Sequence, residues 1–281
     1  ITYKQATSER KMMGSFRQTL IVVATIAAAI HNQIQIVEAV DIGVCYGMLG
    51  DNLPPATDVV NLGSQIEVIL GIKDEDLPNL AASPDAVASW FSINVEPYLD
   101  DIEFPVIAVG NEVIPGNYAE NVLPVMLSLQ NILVAKSLNA IKVSTVLSGK
   151  TLGSSYPPSS GAFTVEGRGL ESYYMFDAME DSFFSANDKE GVSVVNVLVS
   201  ASGWPSAGNG DFTAPQLAAT YDKNFMNHIT SNRGTPKRPE TCIQGFIFAT
   251  FNENQKPAGV KKFFGLLLFY PNMEPVYPVF S

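Results

Sequence analysis

Histidine and cysteine are scarce in this 281-residue chain, with only His31, His228, Cys45 and Cys242. A zinc site built from those side chains alone needs four ligands in compatible spacing, and a disulfide scaffold needs a denser cysteine framework. Both classes drop out. Basic residues are also in deficit, 17 Lys and Arg against 28 Asp and Glu for a net charge of −11. That excludes a phosphate-backbone partner, which requires clustered cations. No apolar run reaches the ~18 residues of a membrane span, no Asn-x-Ser/Thr acceptor is present, and Gly47-Met48-Leu49-Gly50 does not fit the glycine-rich dinucleotide loop. What is plentiful is apolar and aromatic material, 46% and 10% of residues, enough for a large core.

Lys11 and Arg17 flank Met12 and Met13, the apolar run Leu20–Ile30 follows, and Val37-Glu38-Ala39 ends in small residues. This is the pattern of a secretory signal. Residues 1–39 are therefore expected to be leader and signal peptide, with residues 1–11 carrying no fold information, and residues 40–281 a single domain. Its loss removes Lys4, Arg10, Lys11 and Arg17 against Glu9 and Glu38, so the mature form is more acidic still. Cys45 and Cys242 are expected as two buried free thiols, although secretion leaves a bridge possible.

Nearly continuous apolar runs of strand length recur at Asp41–Tyr46, Ile66–Ile72, Phe104–Val109, Ile141–Val146, Val194–Ser200 and Phe246–Phe251. Such runs suit strands buried on both faces. Helical spacing marks Ala86–Tyr98, Asn121–Ser137 and Ala214–Ile229, the last with Asp222 and Lys223 set against Leu217, Tyr221, Phe225 and Ile229. The alternation predicts an α/β fold with a parallel sheet. Polar residues close several strands: Asn111-Glu112, Ser200 with Ser202, and Asn252-Glu253-Asn254. That placement favours a (β/α)8 TIM-type barrel, which carries its chemistry at the C-terminal strand ends. About six strands are recognisable where eight belong, so the barrel is expected to be incomplete. The deficits lie in Gly47–Gln65 and Ser148–Ser193.

Glycoside hydrolysis needs an acid to protonate the leaving oxygen and a second carboxylate across the sugar ring. Glu112, at the end of Phe104-Pro-Val-Ile-Ala-Val-Gly-Asn-Glu-Val, suits the acid; a solvated loop glutamate is the plain alternative. This run resembles the acid-bearing strand of family 17 glycoside hydrolases, the plant endo-1,3-β-glucanases. The resemblance continues in family order through Ile42-Gly-Val-Cys-Tyr-Gly, Ile141-Lys-Val-Ser-Thr, Ser154-Ser-Tyr-Pro-Pro-Ser, Ser202-Gly-Trp-Pro-Ser-Ala-Gly, Gly234-Thr-Pro-Lys-Arg-Pro, Phe251-Asn-Glu-Asn-Gln-Lys and Phe264-Gly-Leu.

The resemblance implies a secreted retaining hydrolase of 1,3-β-glucans, working without a cofactor as a monomer in the cell wall or vacuole. Glu112 would be the acid/base and Asn111 its sugar-binding neighbour. Glu253 and Lys256 would form a supporting polar cluster, and Tyr46, Trp204 and Phe264 would offer aromatic faces for sugars or serve as core. Where the family has its nucleophilic Glu, this chain has Ala201, which cannot form the glycosyl-enzyme bond. Ser200 and Ser202 lack a base to activate them, since His228 is the one histidine beyond residue 39. The family's Arg-x-Arg-x-Tyr-Asp-Pro strand is missing where Asn61-Leu62 meets Gly63, and its Tyr-Pro-Tyr-Phe strand is missing between Phe163 and Phe176. Three readings stand open: a glucanase that has lost its nucleophile, a non-catalytic glucan-binding protein, and a truncated product without function.

Overall fold

A computed structural model of the chain describes residues 2–5, 42–51, 53–54, 66–152, 175–231, 233–267 and 274–277. Residues 6–39, expected as leader and signal peptide, the junction at 61–65, the segment 154–159 and the second expected gap at 163–174 lie outside the described residues. Among the described residues seven strands form one sheet: β1 Thr2–Gln5, β2 Ile42–Cys45, β3 Ile66–Ile72, β4 Glu103–Asn111, β5 Lys142–Val146, β6 Val199–Ser202 and β7 Gly245–Ile247. The order is β5-β4-β3-β1-β2-β7-β6. Helices α1 Leu77–Ala82, α2 Pro84–Asn94, α3 Ala119–Ala135, α4 Met175–Lys189 and α5 Pro215–Ile229 alternate with the strands. This is the architecture of a (β/α)8 TIM-type barrel.

Each of the six expected runs overlaps a strand. The β3–β4, β4–β5, β2–β7 and β6–β7 pairs are parallel, as strands joined through helices require. Alternate residues divide the core. Ile42, Val44, Val68, Ile107, Val109 and Ile247 join the large cluster that includes the helix residues Phe91, Leu129 and Ile229. Cys45, Ile69, Ala108 and Phe246 point to the opposite face and form a smaller cluster with Ala249. The strands are apolar on both sides because both sides are covered.

The helices follow from local signals as well. Ser83 caps α2 by accepting the Asp85 N–H at 3.1 Å, with Pro84 in the first turn, where no amide is needed. On α3, Val122, Val125, Leu129 and Leu133 make a buried stripe at helical spacing. Among the described residues no helix is long and apolar enough to cross a membrane.

The sequence expectations need correction at several points. Thr2–Gln5 does take part in the fold: it pairs antiparallel with both β2 and β3, Tyr3 lying opposite Val44 and Val68. It occupies the place of the first missing strand. Two strands held apart by a vacant slot present unpaired N–H and C=O groups, and any extended segment of either direction can satisfy them. Among the described residues the second deficit leaves β5 and β6 as the two ends of the sheet. Val194–Leu198 precede β6 instead of belonging to it, with Val194 92% exposed. Helices α1 and α4 go beyond the expected pattern; in α4 the buried face carries Asp177, Glu180 and Asp181, which breaks the apolar period. Cys45 is buried, its thiol donating to the Ser200 carbonyl at 3.2 Å, but Cys242 is exposed. Asp222, assigned to the polar face of its helix by pattern, is fully buried.

Candidate active site

At the end of β4 the backbone is bent out of ordinary strand geometry. The register shifts between Ala108 and Asn111, Gly110 has φ +75° and Glu112 has φ +58°. The glycine accepts this readily; the glutamate adopts it at a steric cost. Two hydrogen bonds hold it. The Asn111 N–H donates to Oδ1 of Asp74 at 2.7 Å, and the Glu112 N–H donates to the Val146 carbonyl at 3.0 Å. Asn111 and Glu112 are thus gripped from the β3–α1 connection on one side and from the end of β5 on the other. Both side chains are exposed.

Strand β6 presents Ala201 to solvent between Ser200 and Ser202. Ser202 Oγ lies 2.8 Å from the Tyr221 hydroxyl on α5, and the Ser202 carbonyl accepts the Phe248 N–H at 2.8 Å. A Cβ on Gly203 would overlap the Phe248 carbonyl oxygen, so only glycine fits there. Trp204, 39% exposed, donates its Nε1–H to the Phe212 carbonyl at 3.0 Å. Its ring stands 5.7 Å from that of Tyr221, tilted by 37°.

Beyond β7, Glu253 is buried at 3% exposure. Its Oε2 accepts the Leu49 N–H at 2.9 Å and its Oε1 pairs with Lys256 Nζ at 2.8 Å. That ammonium also lies 4.4 Å from the centre of the Phe248 ring, whose edge-to-face partner is Phe264 at 5.5 Å. A cation paired and hydrogen-bonded in this way satisfies a carboxylate that burial alone would disfavour.

Two buried carboxyl groups are strongly perturbed. Burial raises Asp222 to about 7, against the opposing hydrogen bonds from the Tyr277 hydroxyl and the Trp204 backbone N–H. Burial likewise raises Glu180 of α4 to about 7, helped by the like charges of Asp181 and Asp177.

The structure brings Ala201, Trp204, Glu253, Lys256 and Phe264 into one neighbourhood around Phe248. Glu112 and Asn111 stand at the same, C-terminal end of the parallel strands but on a strand four places from β7 in the sheet order. Tyr46 does not offer a face to a ligand: it is 4% exposed, its hydroxyl donates to the Pro54 carbonyl, and its ring meets Phe251 at 6.2 Å. The aromatic that follows β2 belongs to the core cluster, its hydroxyl satisfied by the Pro54 carbonyl. The sequence reading assigns no site role to Asp74, Gly47, Tyr221 or Phe248. A left-handed glutamate is a geometric sign of a built site, but no sequence pattern announces it.

The Glycosyl hydrolases family 17 model matches this chain at residues 60–170 and 164–280. A probable glucan endo-1,3-β-glucosidase of Arabidopsis thaliana is 40% identical, with 85% of this chain and 90% of that protein covered. Lichenase-2 of Hordeum vulgare is 35% identical over 85% of this chain and 97% of its own. The first alignment runs over 315 positions, more than the 281 residues available; the relative carries stretches that have no counterpart here. Among solved structures, plant β-glucan endohydrolases with distinct substrate specificities match with TM-score 0.73 and 33% identity over 84% of this chain and 99% of theirs. A β-1,3-glucanase and allergen of Cryptomeria japonica pollen matches with TM-score 0.74 and 33% identity over 85% and 98%.

Proposed function

Because the chain belongs to glycosyl hydrolase family 17, we propose that it is a secreted protein of the 1,3-β-glucan endohydrolase type, with Glu112 as proton donor and Ala201 in place of the nucleophile. The observation that carries this reading is the pairing of strand ends. Glu112, held in a left-handed conformation, and Ala201, open to solvent, both close parallel strands at the face where barrels of this class carry their chemistry. In a retaining hydrolase the carboxylic acid protonates the glycosidic oxygen while a carboxylate attacks the anomeric carbon. The methyl group of Ala201 supplies no such electron pair.

The neighbours do not replace it. Ser202 Oγ is engaged by the Tyr221 hydroxyl and no base adjoins it among the described residues. His228 pairs through Nε2 with Asp177 of α4 at 2.9 Å, in contact with the Phe176 ring. Glu253 and Lys256 act as a supporting cluster, neutral as a pair, that packs the floor beside position 201. The substrate is a 1,3-β-glucan, no cofactor takes part, and the chain acts as a monomer.

A glucan-binding role without turnover is the second reading, and the exposed Asn111 and Glu112, together with a chemically inert Ala201, favour it. Laminarin hydrolysis by the full chain, with and without Ala201→Glu, tests the first reading: no turnover in the parent and clear turnover in the variant are expected. Ordinary turnover by the parent would overturn the loss of the nucleophile. Calorimetric titration with laminari-oligosaccharides decides the second, which fails if the parent binds none.

A further inference from the structure

Two consecutive residues of α5 reach the residues that follow position 201. Tyr221 places its hydroxyl 2.8 Å from Ser202 Oγ and its ring against that of Trp204. Asp222, whose charged form the nearby backbone N–H of Trp204 favours, accepts through Oδ2 the hydroxyl of Tyr277 at 2.7 Å. Between the two gripped residues stands Gly203, pressed so closely on the Phe248 carbonyl that no side chain fits, while the Ser202 carbonyl accepts the Phe248 N–H. The backbone from 202 to 204 is therefore fixed from the helix side by α5 and from the sheet side by the residue that follows β7. Asp222 itself is fully buried, and its Oδ1 has no hydrogen-bond partner. A buried carboxyl group with an idle oxygen is costly for a residue whose only task is packing.

We propose that Tyr221 and Asp222 are positioning residues that clamp Ser202 and Trp204 and so aim the side chain at position 201 toward the sugar. The inference rests on the proposed function, since it assigns the clamp to the nucleophile position of a glucan hydrolase. It also implies that the frame around position 201 is built for a reacting group although alanine occupies it. A misplacement of about 1 Å in such a frame costs on the order of a hundredfold in rate, whereas binding of the polymer, spread over the cleft, does not depend on it.

The test uses the full chain carrying Ala201→Glu. Adding Tyr221→Phe or Asp222→Ala is expected to lower kcat on laminarin at least roughly tenfold with KM unchanged, and Asp222→Asn, which keeps an acceptor oxygen, is expected to retain most of the rate. An unchanged kcat, or a loss carried by KM, overturns the proposal. Should Ala201→Glu itself show no turnover, the proposed function fails and hydrogen exchange in the parent chain decides the clamp. Asp222→Ala then has to release the amides of Ala201, Ser202 and Trp204 together, with Asp222→Asn protecting them; release confined to Trp204 overturns it.

Discussion

Gly47 stands directly against the carboxyl group of Glu253: a Cβ at position 47 would overlap its Cδ and both its oxygens. The loop after β2 can pass so close to a buried carboxylate only because position 47 has no side chain. Gly47→Ala is expected to push Glu253 off its Lys256 and Leu49 partners and to cost about 1–3 kcal/mol, measured by denaturant unfolding. An unchanged midpoint would show that Glu253 relaxes freely and that the cradle is not tight.

Glu112 at φ +58° stores strain that a glycine would release. Glu112→Gly is expected to raise stability by about 1 kcal/mol while abolishing any laminarin turnover conferred by Ala201→Glu. A loss of stability in the same denaturant titration would contradict the strain; surviving turnover would remove Glu112 from the role of acid.

The same Ala201→Glu logic has a small-molecule counterpart. If the acid and the cleft are in place, azide at high concentration can occupy the space above the alanine and attack the anomeric carbon from the nucleophile's side, giving a glycosyl azide. A modest gain in cleavage of an activated aryl laminarioside by the parent chain is expected, well below that of the Ala201→Glu protein. Chromatography detects the azide adduct, and its absence alongside an active Ala201→Glu protein would place the fault in access to the site.

Stability should depend on pH through Glu180 and Asp222. Both are raised to about 7 in the fold from 4.5 and 3.8 respectively, so between those limits the native chain holds protons that the unfolded chain has lost. Stability from this source is complete below about pH 4 and declines as pH rises through 7, by roughly 3–4 kcal/mol per group at most. The melting temperature is expected to fall between about pH 4 and pH 7 from this source, and Asp222→Asn to flatten part of that fall. A slope indifferent to Asp222→Asn would show that Asp222 is not a group that drives it.

The strands are legible in the sequence because each is an apolar run covered on both faces, and β3 matches its expected run residue for residue. The site is legible only at the level of which strand ends carry it. Asn111 and Glu112 are read from the end of their strand and Glu253 from the polar run closing another, whereas Ala201 and Lys256 come only from the family resemblance. Tyr46 misleads because an aromatic at a strand end looks the same whether it is buried or not, and here the Pro54 carbonyl accepts its hydroxyl. Asp222 misleads because a helical pattern assigns a carboxylate to solvent, whereas Tyr277, 55 residues later, provides the partner that lets it be buried. Thr2–Gln5 reads as empty of fold information because it lies ahead of a signal-like segment, and its pairing depends on a vacancy between two distant strands that no local pattern displays.

Strand β2 sits in the middle of the sheet, yet its parallel partner is β7, with Val44 opposite Ile247. With β1 bridging β2 to β3, that ladder joins the block of β3, β4 and β5 to the block of β6 and β7, and it closes a loop of about two hundred residues, whose entropic cost grows with the logarithm of its length. The two blocks are rich in local contacts and can form early; the seam between them is a high-contact-order event that governs the folding rate. Substitutions at Val44 or Ile247 should accordingly slow folding more than equally destabilising changes within β4.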